Sequence, residues 1–117
     1  MQAAYWFRKD GTMFKGITPT FTLTLPEEVD LGVASNVYVT FANRGGKTLV
    51  QKKNDDIEIN ENVVNVYLTQ EETLSFPSGS VYVQINWTYI EGGKTKRACS
   101  EIASVFWNDS LERGVLE

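Results

Sequence analysis

The chain has 117 residues, of which 42% are hydrophobic and 22% charged, and its net charge is −4. This length suits one domain, and the hydrophobic content excludes a globally disordered chain. The acidic balance lacks the basic surface that nucleic-acid binding needs, so we expect no nucleic-acid partner. No run approaches the ~18 apolar residues of a membrane helix and no signal-peptide core is present, so we expect no membrane partner and synthesis in a reducing cytoplasm.

The N-terminal segment carries a turn signal at Asp10-Gly11, which predicts a hairpin between Tyr5–Arg8 and Met13–Ile17. We predict an N-terminal extension or hairpin strand over residues 1–13, a β-sandwich domain over residues 14–107 and a C-terminal tail over residues 108–117, with the bounds that the family resemblance given below implies. The tail is expected to hold one helical turn that begins at Ser110.

The first well-patterned strand is Thr20–Leu25, in which apolar residues alternate with threonines between two prolines. A period of two is typical of a half-buried strand. The same pattern predicts a strand at Asn36–Ala42, and the turn Asn43–Gly46 leads into its antiparallel partner, Lys47–Lys53.

The middle of the chain predicts two shorter strands, Ile57–Ile59 and Val63–Leu68, with a turn at Glu61-Asn62. The sequence Thr69-Gln-Glu-Glu72 fits a capping box, because the threonine hydroxyl can accept from an early helical N–H while the glutamate reaches back. It predicts one short helical turn that ends near Phe76-Pro77.

The longest predicted strand is Ser80–Ile90, which a turn at Glu91–Lys94 joins to a last strand over Arg97–Trp107. The alternation of this last strand slips near Ile102-Ala103, which predicts a β-bulge. About seven strands with turn signals every 8–12 residues indicate an all-β, antiparallel sandwich. We expect its core to include Phe21, Phe41, Leu68, Val83, Ile85 and Trp87.

Residues for catalysis are scarce in this sequence. Histidine is absent and Cys99 is the only cysteine, so no histidine-based triad or cysteine–histidine pair can form. The carboxylates cluster in polar connections, where the burial that raises a catalytic pKa is not expected. Asp55-Asp56 and Glu58 could offer oxygen ligands to calcium, but a solvated acidic loop is the favoured interpretation. We predict no enzyme activity, no catalytic residue, no metal and no cofactor.

Two groups of residues are candidates for binding. The polar face of the longest strand, Tyr82, Gln84, Asn86 and Thr88, suits a carbohydrate, although such a face is usually the solvent side of an antiparallel sheet. Aromatic residues near the two termini would mark a protein–protein contact where they are exposed. These are Trp6, Phe7, Phe106 and Trp107.

Five segments resemble, in the same order, small structural proteins of tailed phages and prophages of Firmicutes. They are Phe14–Phe21, Val37–Phe41, Leu68–Leu74, Val83–Ile85 and Ser100–Ile102. The chain is similar over about residues 14–107 to the N-terminal domain of phage baseplate upper proteins. This resemblance implies an immunoglobulin-like β-sandwich that serves virion assembly and has no catalytic or cofactor residues.

The function that the resemblance implies is a structural component of the virion, in the tail or baseplate. Its partners would be other phage structural proteins or further copies of the chain, and it would be located in the virion after synthesis in the bacterial host cytoplasm. Two alternatives stay open: a carbohydrate-binding or adhesion module that uses the Tyr82–Thr88 face, and a small host-directed inhibitor or regulator.

Overall fold

The computed structural model describes residues 12–117. Within that range the chain forms nine strands, one α-helix and two 3₁₀ turns, at Leu31–Val33 and Asn54–Asp56. In chain order the strands and the helix are β1 (Thr12–Phe14), β2 (Thr20–Thr24), β3 (Asn36–Ala42), β4 (Thr48–Lys53), β5 (Glu58–Asn60), β6 (Val63–Tyr67), α1 (Gln70–Leu74), β7 (Gly79–Glu91), β8 (Lys94–Cys99) and β9 (Ala103–Asn108).

The strands form two sheets that pack as a sandwich. The small sheet has the order β2-β6-β5, and the large sheet has the order β1-β9-β7-β3-β4, with β8 also paired to β7. With β2 counted as strand B, this is the B-E-D and G-F-C-C′ arrangement of an immunoglobulin-type sandwich. The predicted all-β sandwich is therefore confirmed.

The observed sandwich differs from the predicted one in two details. The described chain has nine strands rather than about seven, because the predicted last strand is divided into β8 and β9 and a short β1 precedes the predicted strand at Thr20–Leu25. The sheets are also not wholly antiparallel, since β1 runs parallel to β9 with Met13 opposite Trp107. Strand β1 spans the predicted boundary at residue 14, and Met13 is buried in the core. The other predicted strand of the N-terminal hairpin, Tyr5–Arg8, lies outside the described residues.

The core lies between the two sheets and is built from the apolar members of each alternating strand. Strand β2 buries Phe21 and Leu23 and pairs with β6, which buries Val64 and Val66. Five of the six predicted core residues are buried: Phe21, Phe41, Leu68, Val83 and Ile85. The sixth, Trp87, is only partly buried and packs against the edge of the core. Its position near the end of the β3–β7 ladder explains the incomplete burial.

A one-residue β-bulge separates β8 from β9, close to the predicted position. Asn86 pairs with Cys99 in β8, whereas Val83 pairs with Ala103 in β9. The segment from Cys99 to Ala103 therefore contains one residue more than the segment of β7 that it faces. At the bulge Ser100 is buried, and its hydroxyl accepts the N–H of Ile85 at 3.0 Å. Because a shift of one residue moves a strand's side chains to the opposite face, the bulge turns Val105 and Trp107 into the core.

The predicted capping box begins α1. The Thr69 hydroxyl accepts the N–H of Glu72 at 3.2 Å, and the Glu72 carboxylate accepts the N–H of Thr69 at 2.9 Å. The carboxylate also pairs with Lys52 on β4 at 2.8 Å, which ties the helix to the large sheet. Partial burial by itself raises the pKa of Glu72, but Lys52 and Thr69 together hold that pKa below its ordinary value.

The predicted helical turn at Ser110 is wrong, because no helix forms in the C-terminal tail. The tail instead bonds to other parts of the molecule. The Ser110 hydroxyl donates to the carbonyl of Lys15, and the Gln70 side chain exchanges two hydrogen bonds with the backbone of Leu116. These contacts satisfy the carbonyl of Lys15 and both backbone polar groups of Leu116.

Candidate functional site

The outer face of the large sheet is polar and carries the predicted carbohydrate face. Strand β7 turns its odd-numbered residues into the core and its even-numbered residues outward, since side chains alternate along a strand. The register with β3 places Gln84 opposite Thr40 and Asn86 opposite Tyr38. Thr40 in turn lies opposite Gln51 of β4. The outward side chains of β7, β3 and β4 therefore form one continuous surface.

This surface contains an open groove of about 610 Å³, which we call the outer-face groove. The turn between β3 and β4 borders it on one side, and Ile102 from the bulge borders it on the other. Its polar and aromatic side chains come from four strands and one turn. They are Thr40, Asn43, Arg44, Thr48, Gln51, Tyr82, Gln84, Asn86 and Arg97.

A ladder of hydrogen bonds orients the polar side chains of the groove. The Gln84 amide donates to the carbonyl of Ser100 at 2.8 Å, and the Asn86 amide donates to Gln84 Oε1 at 3.5 Å. Arg97 donates through Nε and Nη2 to Asn86 Oδ1, at 3.2 and 2.9 Å. The bulge at Ser100 therefore anchors a row of side chains that runs across β7 to Arg97 on β8.

The groove has an unbalanced charge. Arg44 and Arg97 both line it, and none of the described residues that line it is acidic. Within residues 12–117 neither arginine forms an ion pair with a carboxylate. The groove is therefore a cationic surface on a chain whose net charge is −4.

Three of the four residues predicted as the ligand face meet in this groove: Tyr82, Gln84 and Asn86. The fourth, Thr88, lies one step further along β7 in an adjoining hollow that Arg97 also lines. Sequence reasoning missed both arginines as members of the site. Arg97 could have been found from the register of the β7–β8 hairpin, which places it opposite Thr88. No such signal exists for Arg44, because its turn follows β3 and not β7.

The terminal aromatic residues do not share one surface. Phe106 is 47% exposed on the outer face, with Phe14 of the neighbouring strand at 37%. Trp107 is buried at 1%, so its prediction as an exposed interaction residue is wrong. The bulge points Trp107 inward, where its ring meets Phe76 edge-on, and its indole N–H has no partner within the described part of the chain. Trp6 and Phe7 lie outside the described residues.

A second exposed feature is the end of the β7–β8 hairpin. Strand β3 pairs with β7 only as far as Thr88, so Tyr89–Glu91 and Lys94–Lys96 pair only with each other among the described strands. We call residues 89–96 the hairpin arm. Ile90 on this arm is 62% exposed, and both edges of the arm carry backbone groups without a ladder partner in residues 12–117.

The acidic residues weighed as calcium ligands lie together but form no metal centre. Asp55, Asp56 and Glu58 line a shallow hollow beside Asn65 and Tyr67. Across residues 12–117, no group of three or more carboxylate, cysteine or histidine side chains is placed to hold a metal ion. Cys99 is a free thiol, exposed at the end of β8.

No family model matches this chain, and no curated protein sequence matches it significantly. Among the described residues, no helix is long and apolar enough to cross a membrane.

Proposed function

We propose that this chain is a non-enzymatic structural component of a tailed-phage or prophage virion and acts in the tail or baseplate as a protein–protein assembly module. The sequence resemblance over about residues 14–107 supports this function, and the two-sheet sandwich agrees with the fold that the resemblance implies. The partners are other phage structural proteins or further copies of the chain.

The observation that carries the proposal is the hairpin arm. It extends two paired strand ends beyond the sandwich, and an extended segment of a partner can add to such an edge through backbone hydrogen bonds. Ile90 adds exposed apolar surface next to this edge. Lys94 and Lys96 lie on the same arm, and edge lysines discourage indiscriminate strand pairing. The arm therefore suits a selective partner.

Co-expression with the genes that flank it, followed by co-purification, tests this function. We expect a tail or baseplate protein to co-purify with the wild-type chain and Ile90→Lys to weaken its capture roughly tenfold, since charge on an interface core disfavours binding. Leu111→Lys is the matched control, because Leu111 is also an exposed apolar residue but lies in the tail. Failure to capture any flanking gene product, together with a monomeric state at high concentration, would contradict the proposal.

A carbohydrate-binding or adhesion module is the second candidate, favoured by the outer-face groove. Its walls offer hydroxyl, amide and aromatic side chains, the groups that bind sugars through hydrogen bonds and ring contacts. Binding of a glycan by the wild-type chain and not by Gln84→Ala would support this function, whereas equal binding by both would place any glycan elsewhere.

A further inference from the structure

We infer that the outer-face groove binds an acidic saccharide, whose carboxylate or sulfate groups pair with Arg97 and with Arg44 at separate positions along the groove. This inference rests on the second candidate function and names the chemical class of its ligand. It is independent of assembly through the hairpin arm, because the groove and the arm use different residues.

The positive charge of the groove favours a ligand of negative charge. Two guanidinium groups line the groove and no described carboxylate does, so an anionic group meets attraction without an opposing acid. Guanidinium groups suit carboxylate and sulfate oxygens because their donors lie in a planar fork. A neutral sugar would leave both positive charges without a partner.

The geometry of Arg97 leaves part of its guanidinium available for a ligand. Arg97 donates to the Asn86 oxygen through Nε and Nη2, and a guanidinium has five N–H donors in all. The remaining donors have no partner among the described residues. The two hydrogen bonds to Asn86 hold Arg97 in place before any ligand arrives, which reduces the entropy cost of binding.

The rest of the groove suits a hydroxyl-rich ligand. Thr40 and Gln51 share a hydrogen bond of 3.0 Å on its floor, and Tyr82 contributes an aromatic ring and a hydroxyl. A volume of about 610 Å³ lies within the usual range of ligand sites, and the groove is open along the sheet. An extended oligosaccharide can therefore lie across β3, β7 and β8.

Calorimetric titration with matched sugars tests the inference. The probes are an oligogalacturonate and its methyl ester, and dextran sulfate and dextran, so that each pair differs mainly in charge. We expect one acidic probe to bind at least tenfold more tightly than its neutral counterpart, with an affinity that falls as salt rises. We expect Arg97→Gln and Arg44→Gln each to weaken that binding roughly tenfold, the size of a lost charged hydrogen bond.

Arg113→Gln is the control, because Arg113 is an exposed arginine in the tail, away from the groove. An equal loss in this variant would mean unspecific attraction and would overturn the inference. Equal binding of the neutral and acidic probes, lost in Gln84→Ala, would overturn the acidic specificity but keep the carbohydrate function. Absence of binding to all four probes would overturn the inference. The carbohydrate function would still stand if another glycan bound the wild-type chain and not Gln84→Ala.

Discussion

The hydroxyl of Thr73 joins two segments that are far apart in the sequence. Thr73 is fully buried on α1, where it accepts the N–H of Gly16 at 2.9 Å and donates to the carbonyl of Ile17 at 2.8 Å. Gly16 has a φ of +92°, a conformation that favours glycine, and a Cβ at this position would lie only 3.3 Å from the Leu74 side chain. One side chain therefore holds the link between β1 and β2 against the helix.

Replacing Thr73 by valine keeps the shape and removes the hydroxyl. We expect Thr73→Val to lower the free energy of unfolding by about 1–3 kcal/mol, because two backbone groups lose their partner. Denaturant titration measures the loss, and hydrogen exchange should show faster exchange of the Gly16 amide. Thr73→Ser retains the hydroxyl and should keep that amide protected. A valine variant with wild-type stability and a protected Gly16 would refute this role.

The pairing of Glu72 with Lys52 should make the stability depend on pH. The pKa of Glu72 is below its ordinary value of 4.5, so the stabilisation is present in full above that pH and is lost as the pH falls through the lower, folded-state pKa. Glu72→Gln retains a side chain that can close the capping box but removes the charge. We expect a Glu72→Gln and Lys52→Met double-mutant cycle to give a coupling below about 1 kcal/mol at pH 7. A coupling that persists undiminished after acidification below the folded-state pKa of Glu72 would disprove the ionic pairing.

At the scale of elements, the bulge between β8 and β9 has the largest effect on the fold. It reverses which residues of β9 face the core. It also positions the Ser100 hydroxyl to accept the N–H of Ile85, which a backbone carbonyl would accept in a regular ladder. The same serine supplies the carbonyl that anchors Gln84 in the groove. Packing of the core and order in the groove therefore depend on one irregular residue.

Substitution of Ser100 tests that dependence. Ser100→Ala leaves the buried N–H of Ile85 without a partner, so we expect a loss of about 1–3 kcal/mol in the free energy of unfolding. Ser75→Ala is the control, because Ser75 is exposed and its hydroxyl contacts only its own helix; its effect should stay within about 0.5 kcal/mol. Similar losses in the two variants, measured by thermal or denaturant unfolding, would show that the Ser100 hydroxyl has no special role.

At the scale of the whole molecule, the sandwich presents two surfaces with different chemistry. The hairpin arm offers an exposed Ile90 and backbone groups without a ladder partner among the described strands, whereas the outer-face groove offers fixed polar groups and two arginines. We propose the arm for a protein partner and the groove for an acidic saccharide. Variants in one surface should leave binding at the other unchanged, since Ile90 is not among the residues that line the groove.

Local pattern was sufficient for much of this fold. The alternation in β2, β3 and β7 predicted which residues face the core, because the side-chain period of a strand is two. The capping box of α1 was equally readable, since its two partners lie three residues apart. Tyr82, Gln84 and Asn86 were predicted to share a face for the same reason.

Contacts between distant segments were not readable in this way. The parallel pairing of β1 with β9, the burial of Trp107 and the role of Thr73 each join residues that are remote in the sequence. The groove likewise forms only when the β3–β4 turn brings Arg44 beside the sheet that carries Arg97. Periodicity determines which residues of one strand share a face, whereas strand order and register arise from packing of the whole chain. The polar face of β7 was therefore predictable, but the charge of the groove that contains it was not.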